Sequence, residues 1–119
     1  MIRCKRVYDA PAADDGYRVL VDKLWPRGIK KEALHYDEWC KSLTPSSPIR
    51  QQWHREIIDF AGFRALYRQE LAGNPDLDRL ARISEQQPLT LLYGAKNTHQ
   101  NHALVLAEMI AGRLSPTPA

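Results

Sequence analysis

Cysteine is scarce: the 119-residue chain has two, Cys4 and Cys40, with no CxxC spacing and no cluster of further ligands beside them. That excludes a zinc ribbon and a thioredoxin-type redox motif, and it fits a reduced, cytoplasmic setting. Long apolar runs are missing too. No stretch approaches the ~20 apolar residues of a membrane helix. The basic start Met1-Ile2-Arg3-Cys4-Lys5-Arg6 leads into no apolar segment, so neither a secretory leader nor a membrane span is expected. Neither sign of charge dominates, since 17 Lys+Arg against 14 Asp+Glu leave a formal +3. The sequence pI is about 9.0. This mild excess favours anionic ligands over cationic ones and falls short of the dense basic stripe of a dedicated duplex binder.

Signatures of catalysis are also missing. Gly94-Ala95-Lys96 lacks the upstream glycine and the following Ser or Thr of a Walker loop, and GxGxxG does not occur. Neither cysteine has an arginine six positions on, which excludes a phosphatase-type CxxxxxR loop, and there is no GxSxG elbow. His99 and His102 lie at i and i+3 of the expected last helix, with only His35 or His54 as a distant third ligand. With no HExxH and no companion cysteine, no metal and no other cofactor is expected.

What is present is the composition of an ordinary globular chain, 44% hydrophobic and 26% charged, at the length of one compact domain. Residues 1–114 are expected to form it. The tail Ser115-Pro116-Thr117-Pro118-Ala119 is expected to be disordered. Strands are expected over residues 2–8, 17–22 and 89–93. Leu89-Thr90-Leu91-Leu92-Tyr93 is nearly all apolar, as a central parallel strand covered on both faces should be. Residues 29–45 read as irregular.

Ser47-Pro48 reads as cap and first residue of a helix burying Ile49, Trp53 and Ile57. Asp59 caps a second helix carrying Phe60, Phe63, Tyr67 and Leu71 up to Gly73. Asn74-Pro75 opens a third with Leu77, Leu80 and Ala81. The turn at residues 94–98 leads into a last helix with Ala103, Leu106, Ala107, Ile110 and Leu114 inward. Strands at both chain ends with helices between them imply an α/β fold: a single-domain, mostly parallel sheet flanked by helices as an α/β/α sandwich.

Ligands of such sheets lie beyond the carboxyl ends of the strands. Two loops qualify. Asp22-Lys23-Leu24-Trp25-Pro26-Arg27-Gly28 joins a carboxylate, two cations and an indole to a turn that proline and glycine can fix, so Arg27 can be held in one direction. The alternative is an ordinary proline turn with Trp25 in the core and Arg27 solvated. At Gly94-Ala95-Lys96-Asn97, backbone N–H groups and Lys96 can together hold a phosphate or carboxylate, or the segment is a plain helix start capped by Asn97 or Thr98. Arg50 and His54, one turn apart on a helix face, can point into the same cleft, or simply form a wet face. Arg18 and Asp22 lie in an otherwise apolar strand and need partners. Arg18 is expected to meet a carboxylate deep in the fold, and Asp22 to orient Arg27 or Arg50.

These segments resemble the YeaO-like family of small bacterial proteins of unknown function (domain of unknown function 488). The resemblance runs from about Arg6 to Leu106. It is carried by Asp15-Gly16-Tyr17-Arg18-Val19-Leu20-Val21-Asp22, Leu24-Trp25-Pro26-Arg27-Gly28, Trp39, Pro45-Ser46, Arg50, Phe63-Arg64, Tyr67, Leu91-Leu92-Tyr93-Gly94-Ala95-Lys96, Asn101 and Ala103. It implies a compact cytoplasmic α/β protein and no established activity. The family pattern has Gly-His-Asp after the Arg50 helix and a histidine just before the final asparagine, where this chain reads His54-Arg55-Glu56 and Gln100. The matching residues are arginines, aromatics and amides, which bind rather than act as bases or nucleophiles.

The expected function is therefore a cleft for a small anionic ligand, a nucleotide or other phosphate- or carboxylate-bearing molecule. Arg18, Asp22, Trp25, Arg27, Arg50, His54, Tyr93, Lys96 and Asn101 are its candidate binding residues. The alternative is a nucleic-acid or protein-partner module using the basic surface of Arg3, Lys5, Arg6, Lys23, Arg27, Lys30 and Lys31.

Overall fold

The computed structural model describes residues 1–114; the tail at 115–119 lies outside the described residues. Four strands, β1 (Ile2–Arg6), β2 (Tyr17–Leu20), β3 (Glu38–Trp39) and β4 (Leu89–Tyr93), form one sheet in the order β1-β4-β2-β3. Every pairing is parallel, with Leu91 set between Cys4 and Val19. Four helices complete the fold: α1 (Ser47–His54), α2 (Phe60–Leu71), α3 (Pro75–Gln86) and α4 (His102–Ala111).

The pleat sorts the strand residues onto two unlike faces. Val19, Val21, Leu89, Leu91 and Tyr93 join the buried residues of all four helices in one apolar cluster. Leu20 and Leu92 point the other way, into a smaller cluster with Val7, Leu34, Trp25, Ile29 and Trp39. The parallel α/β sheet is thus as expected, but all the helices stack on one face. The second layer is irregular chain from residues 24–37, closed by Trp39 of β3. The rest of that face is polar: Asp15, buried, accepts from Lys5 Nζ at 3.1 Å and from Arg18, and its carbonyl accepts from Thr90 Oγ1 at 2.7 Å. Arg18 has the inner carboxylate it was expected to need.

Helix starts follow their caps. Asp59 accepts from Gly62 N–H at 2.8 Å and Asn74 from Asp76 N–H at 2.9 Å, so α2 and α3 begin where the sequence indicates. Four expectations change. β2 ends at Leu20, leaving Asp22 beyond the strand. The cap of α1 is Ser46 rather than Ser47, and α1 stops at His54. Ile57, expected on its buried face, is 67% exposed, because Glu56 turns the chain through a left-handed φ of 59°. α4 begins only at His102, which leaves His99 in a loop, and it ends before Leu114.

Candidate functional site

The carboxyl ends of four parallel strands share one edge of the sheet, and there the connections of β2 and β4 part. The chain after β2 crosses the irregular face, whereas the chain after β4 turns to the helical face and becomes α4. Such a divergence between neighbouring strands opens a crevice. Here it is a cleft of about 1200 Å³, with Asp22, Gly94 and His102 among its lining residues.

Asp22 bridges the divergence. Its Oδ2 accepts from Gly94 N–H at 2.8 Å, and its Oδ1 lies 3.1 Å from His102 Nε2. That nitrogen is also 3.0 Å from the Val21 carbonyl oxygen. Both neighbours of Nε2 are acceptors, so Nε2 carries a hydrogen. The angles favour the carbonyl, since Asp22 Oδ1 is a buried oxygen with no well-aligned donor. A Cβ on Gly94 would sit 2.9 Å from Asp22 Oδ2, so a larger residue there would push the carboxylate aside. The expected Asp22 contact to Arg27 or Arg50 is replaced by these two, because the end of the neighbouring strand is closer than either arginine's helix or loop.

The loop after Asp22 is held by indoles. Trp25 Nε1 donates to the Ile29 carbonyl at 2.6 Å, and the ring meets Tyr36 and Trp39 edge-on at 5.7 Å each. Trp39 Nε1 donates to the Asp22 carbonyl at 2.7 Å, and the Tyr8 hydroxyl to the Arg27 carbonyl at 2.9 Å. With Pro26 buried and Gly28 at φ 77°, the backbone of Arg27 is fixed while its guanidinium stays exposed at the cleft.

α1 lines the cleft with Arg50, Trp53 and His54. Arg50 Nε is buried without a hydrogen-bond partner. Trp53 stacks on Phe63 with centroids 4.3 Å apart and planes 24° apart, and touches Phe60 at 5.4 Å. The remaining wall is the loop after β4. Asn97 Oδ1 accepts from the N–H groups of His99 and Gln100, while Asn101 Oδ1 accepts from Leu104 N–H at 3.0 Å and caps α4. Lys96 therefore sits in a loop six residues before the helix, not at a helix start, and the expected union of Lys96 with free helical N–H groups is not formed.

Of the candidate residues, the structure brings Asp22, Trp25, Arg27, Arg50, His54, Lys96 and Asn101 to this cleft. Asn101 is wholly buried and both ends of its amide are engaged, so its part is to cap α4. Arg18 lies on the irregular face, bonded to Asp15 and, at 2.6 Å, to the His35 carbonyl. Tyr93 points into the helical core, where burial raises its pKa. His102 and the Trp53–Phe60–Phe63 wall were not among the candidates. His102 follows the asparagine that caps α4, which is the signal that would have placed it at the mouth of the helix. No group of three or more His, Cys, Asp or Glu able to hold a metal occurs among the described residues.

The fold and crevice define a small α/β protein with a cleft at the switch point of a parallel sheet. The chain belongs to the DUF488-N3i family, whose model, described as the inactive DUF488-N3 subclade, matches residues 1–118. The chain is 58% identical over 110 residues to the uncharacterised protein YeaO of Escherichia coli strain K12, covering 92% of this chain and 96% of that one. Uncharacterised proteins of Mycobacterium bovis and Mycobacterium tuberculosis are 35% identical over 112 residues, 94% of this chain and 95% of theirs. No solved structure matches the chain. No helix among the described residues is long and apolar enough to cross a membrane.

Proposed function

We propose that this cleft binds a small anion bearing a phosphate or carboxylate group, and that the protein acts by binding it rather than by transforming it. The observation that carries the reading is Arg50, whose buried Nε has no partner at a cleft that Arg27 and Lys96 also line. A buried guanidinium nitrogen left unpaired is costly, and an anion paired with the same guanidinium offsets that cost. The balance of charge supports an anion. Lys23, Arg27, Arg50 and Lys96 face Asp22, Glu56 and Asp59, and two of these carboxylates, Asp22 and Asp59, already serve backbone N–H groups. Binding without chemistry agrees with the description of the family model as an inactive subclade.

The basic amino-terminal surface supports a nucleic-acid partner less well. Arg3 and Lys5 face Asp14 and Asp15, Arg6 donates to the Ala95 carbonyl at 2.9 Å, and Lys23 donates to Ser47 Oγ at 2.9 Å. Titration calorimetry with inorganic phosphate, sulfate and citrate tests the proposal. The parent protein is expected to bind at least one of them, with Arg50→Ala and Arg27→Ala each on the order of tenfold weaker, the usual scale for one charge-assisted contact. No binding by any anion, or equal binding by both variants, overturns it.

A further inference from the structure

We propose that the anion this cleft accepts carries a planar aromatic or heteroaromatic ring, its acidic group at Arg50 and its ring against Trp53. The inference rests on the anion-binding reading and adds the class of molecule. An inorganic ion occupies a small part of about 1200 Å³, and it would leave Trp53, Phe60 and the 71% exposed Leu24 wet. Small-molecule sites cover apolar surface and place a few polar groups within it.

Trp53 is built as a stacking wall. Phe63 supports its ring at 4.3 Å and Phe60 flanks it at 5.4 Å, so the indole is held in place while the residue stays half-buried at the cleft. Among the described residues the other two indoles each donate to a carbonyl, Trp25 to Ile29 and Trp39 to Asp22. Trp53 donates to no group among the described residues, which leaves its N–H to a ligand edge. Arg50 and Trp53 are i and i+3 on α1, neighbours on one helix face, so one ligand can meet both. A rigid aromatic wall selects a flat partner over a flexible chain, because stacking then costs little ordering.

The test uses the whole chain and compares inorganic phosphate, phenyl phosphate, benzoate, phenol and a nucleoside 5′-monophosphate by calorimetry and tryptophan fluorescence. Ring-bearing acids are expected to bind about tenfold or more tighter than inorganic phosphate, the scale of one stacked ring, and phenol is expected to bind weakly. A tighter nucleotide than phenyl phosphate assigns the ring to a nucleobase, and the reverse order assigns it to a single-ring acid. Trp53→Leu should bring phenyl phosphate to within about twofold of the affinity the same variant shows for inorganic phosphate. Equal binding of phosphate and the ring-bearing acids by the parent protein overturns the inference while leaving anion binding intact, and so does a Trp53→Leu variant that weakens both alike. If no probe binds, the anion reading itself falls.

Discussion

Replacing Asp15 by asparagine tests whether the polar half of the irregular face is held by charge. The Asp15 carboxylate receives Lys5 at 3.1 and 3.2 Å, Ala12 N–H at 3.0 Å and Arg18. Asparagine keeps the size and one acceptor but removes the charge. Lys5 can turn outward, since 21% of its side chain is already exposed, whereas the Arg18 side chain, 8% exposed, cannot. A buried charge deprived of its partner costs ~3–5 kcal/mol. Because Arg18 keeps its bond to the His35 carbonyl, we place Asp15→Asn near the lower end, about 3 kcal/mol. For a domain of this size that lowers Tm by ~10 °C.

The same carboxylate sets a pH dependence. Burial pushes its pKa up, but the hydrogen bonds from Ala12, Lys5 and Arg18 and the charge of Lys5 outweigh burial and hold it below the usual carboxylate value. A lowered folded pKa contributes stability that is fully present above the unfolded value near ~4 and is lost as pH falls through the folded value. Urea unfolding from pH 7 down to pH 3 should therefore show the gap between parent and Asp15→Asn narrowing in acid. Converting the pair to Asp15→Leu with Arg18→Met should cost less than Asp15→Leu alone, since no charge is then stranded. A gap under about 1 kcal/mol at pH 7, or one that does not narrow in acid, refutes the reasoning.

Two further outcomes follow from close contacts. Gly16 holds φ at 67°, and a Cβ there would lie 2.1 Å from the Pro88 carbonyl oxygen, a backbone atom that cannot step aside. Gly16→Ala should cost more than ~2 kcal/mol in urea unfolding or leave no folded protein, and a loss below 0.5 kcal/mol refutes that. Burial pushes the Cys4 thiol up to about 12, and Cys40 is buried with its pKa raised, so both thiols should resist iodoacetamide at pH 8. Both should react once urea unfolds the chain. Prompt alkylation of the folded protein, mapped by mass spectrometry, would contradict their burial.

Local signals made most of the fold legible. Asp59 and the Asn74-Pro75 pair cap the helices they announce, and the apolar run at Leu89–Tyr93 is the buried central strand that its composition implies. The failures lie where tertiary contacts decide. β3 is two residues, paired as Val19 to Glu38 and Leu20 to Trp39, and so short a strand exists only because β2 presents a free edge to it. Ile57 fits the helical spacing of Ile49 and Trp53, but a non-glycine residue at positive φ ends that geometry before it, and no sequence pattern marks Glu56 for that role. The start of α4 is ambiguous in the sequence because two asparagines compete as caps. Asn97 spends its side chain on its own loop, and Asn101, four residues later, starts the helix. The helical layer expected on the second face is irregular because Trp25, Ile29, Leu34 and Trp39 supply its apolar cover without helical periodicity.

The candidate site shows the same division, and Asp22 shows how far it could have been carried. Its sequence position suggested an arginine as partner on the ground that opposite charges attract. Register is the stronger guide. Once β2 and β4 are parallel neighbours with Leu20 opposite Leu92, residue 22 falls beside residue 94, at the ~4.8 Å spacing of adjacent strands. A carboxylate there reaches the neighbouring N–H before it reaches any helix or loop. Sequence alone supplied the two segments but not their adjacency, which depends on β4 inserting between β1 and β2. The consequence reaches the function. Because Asp22 is committed to Gly94 N–H and lies beside His102, it neutralises neither Arg27 nor Arg50. Both arginines line the cleft, and among the described residues neither has a carboxylate within ion-pair distance, which is the condition an external anion requires.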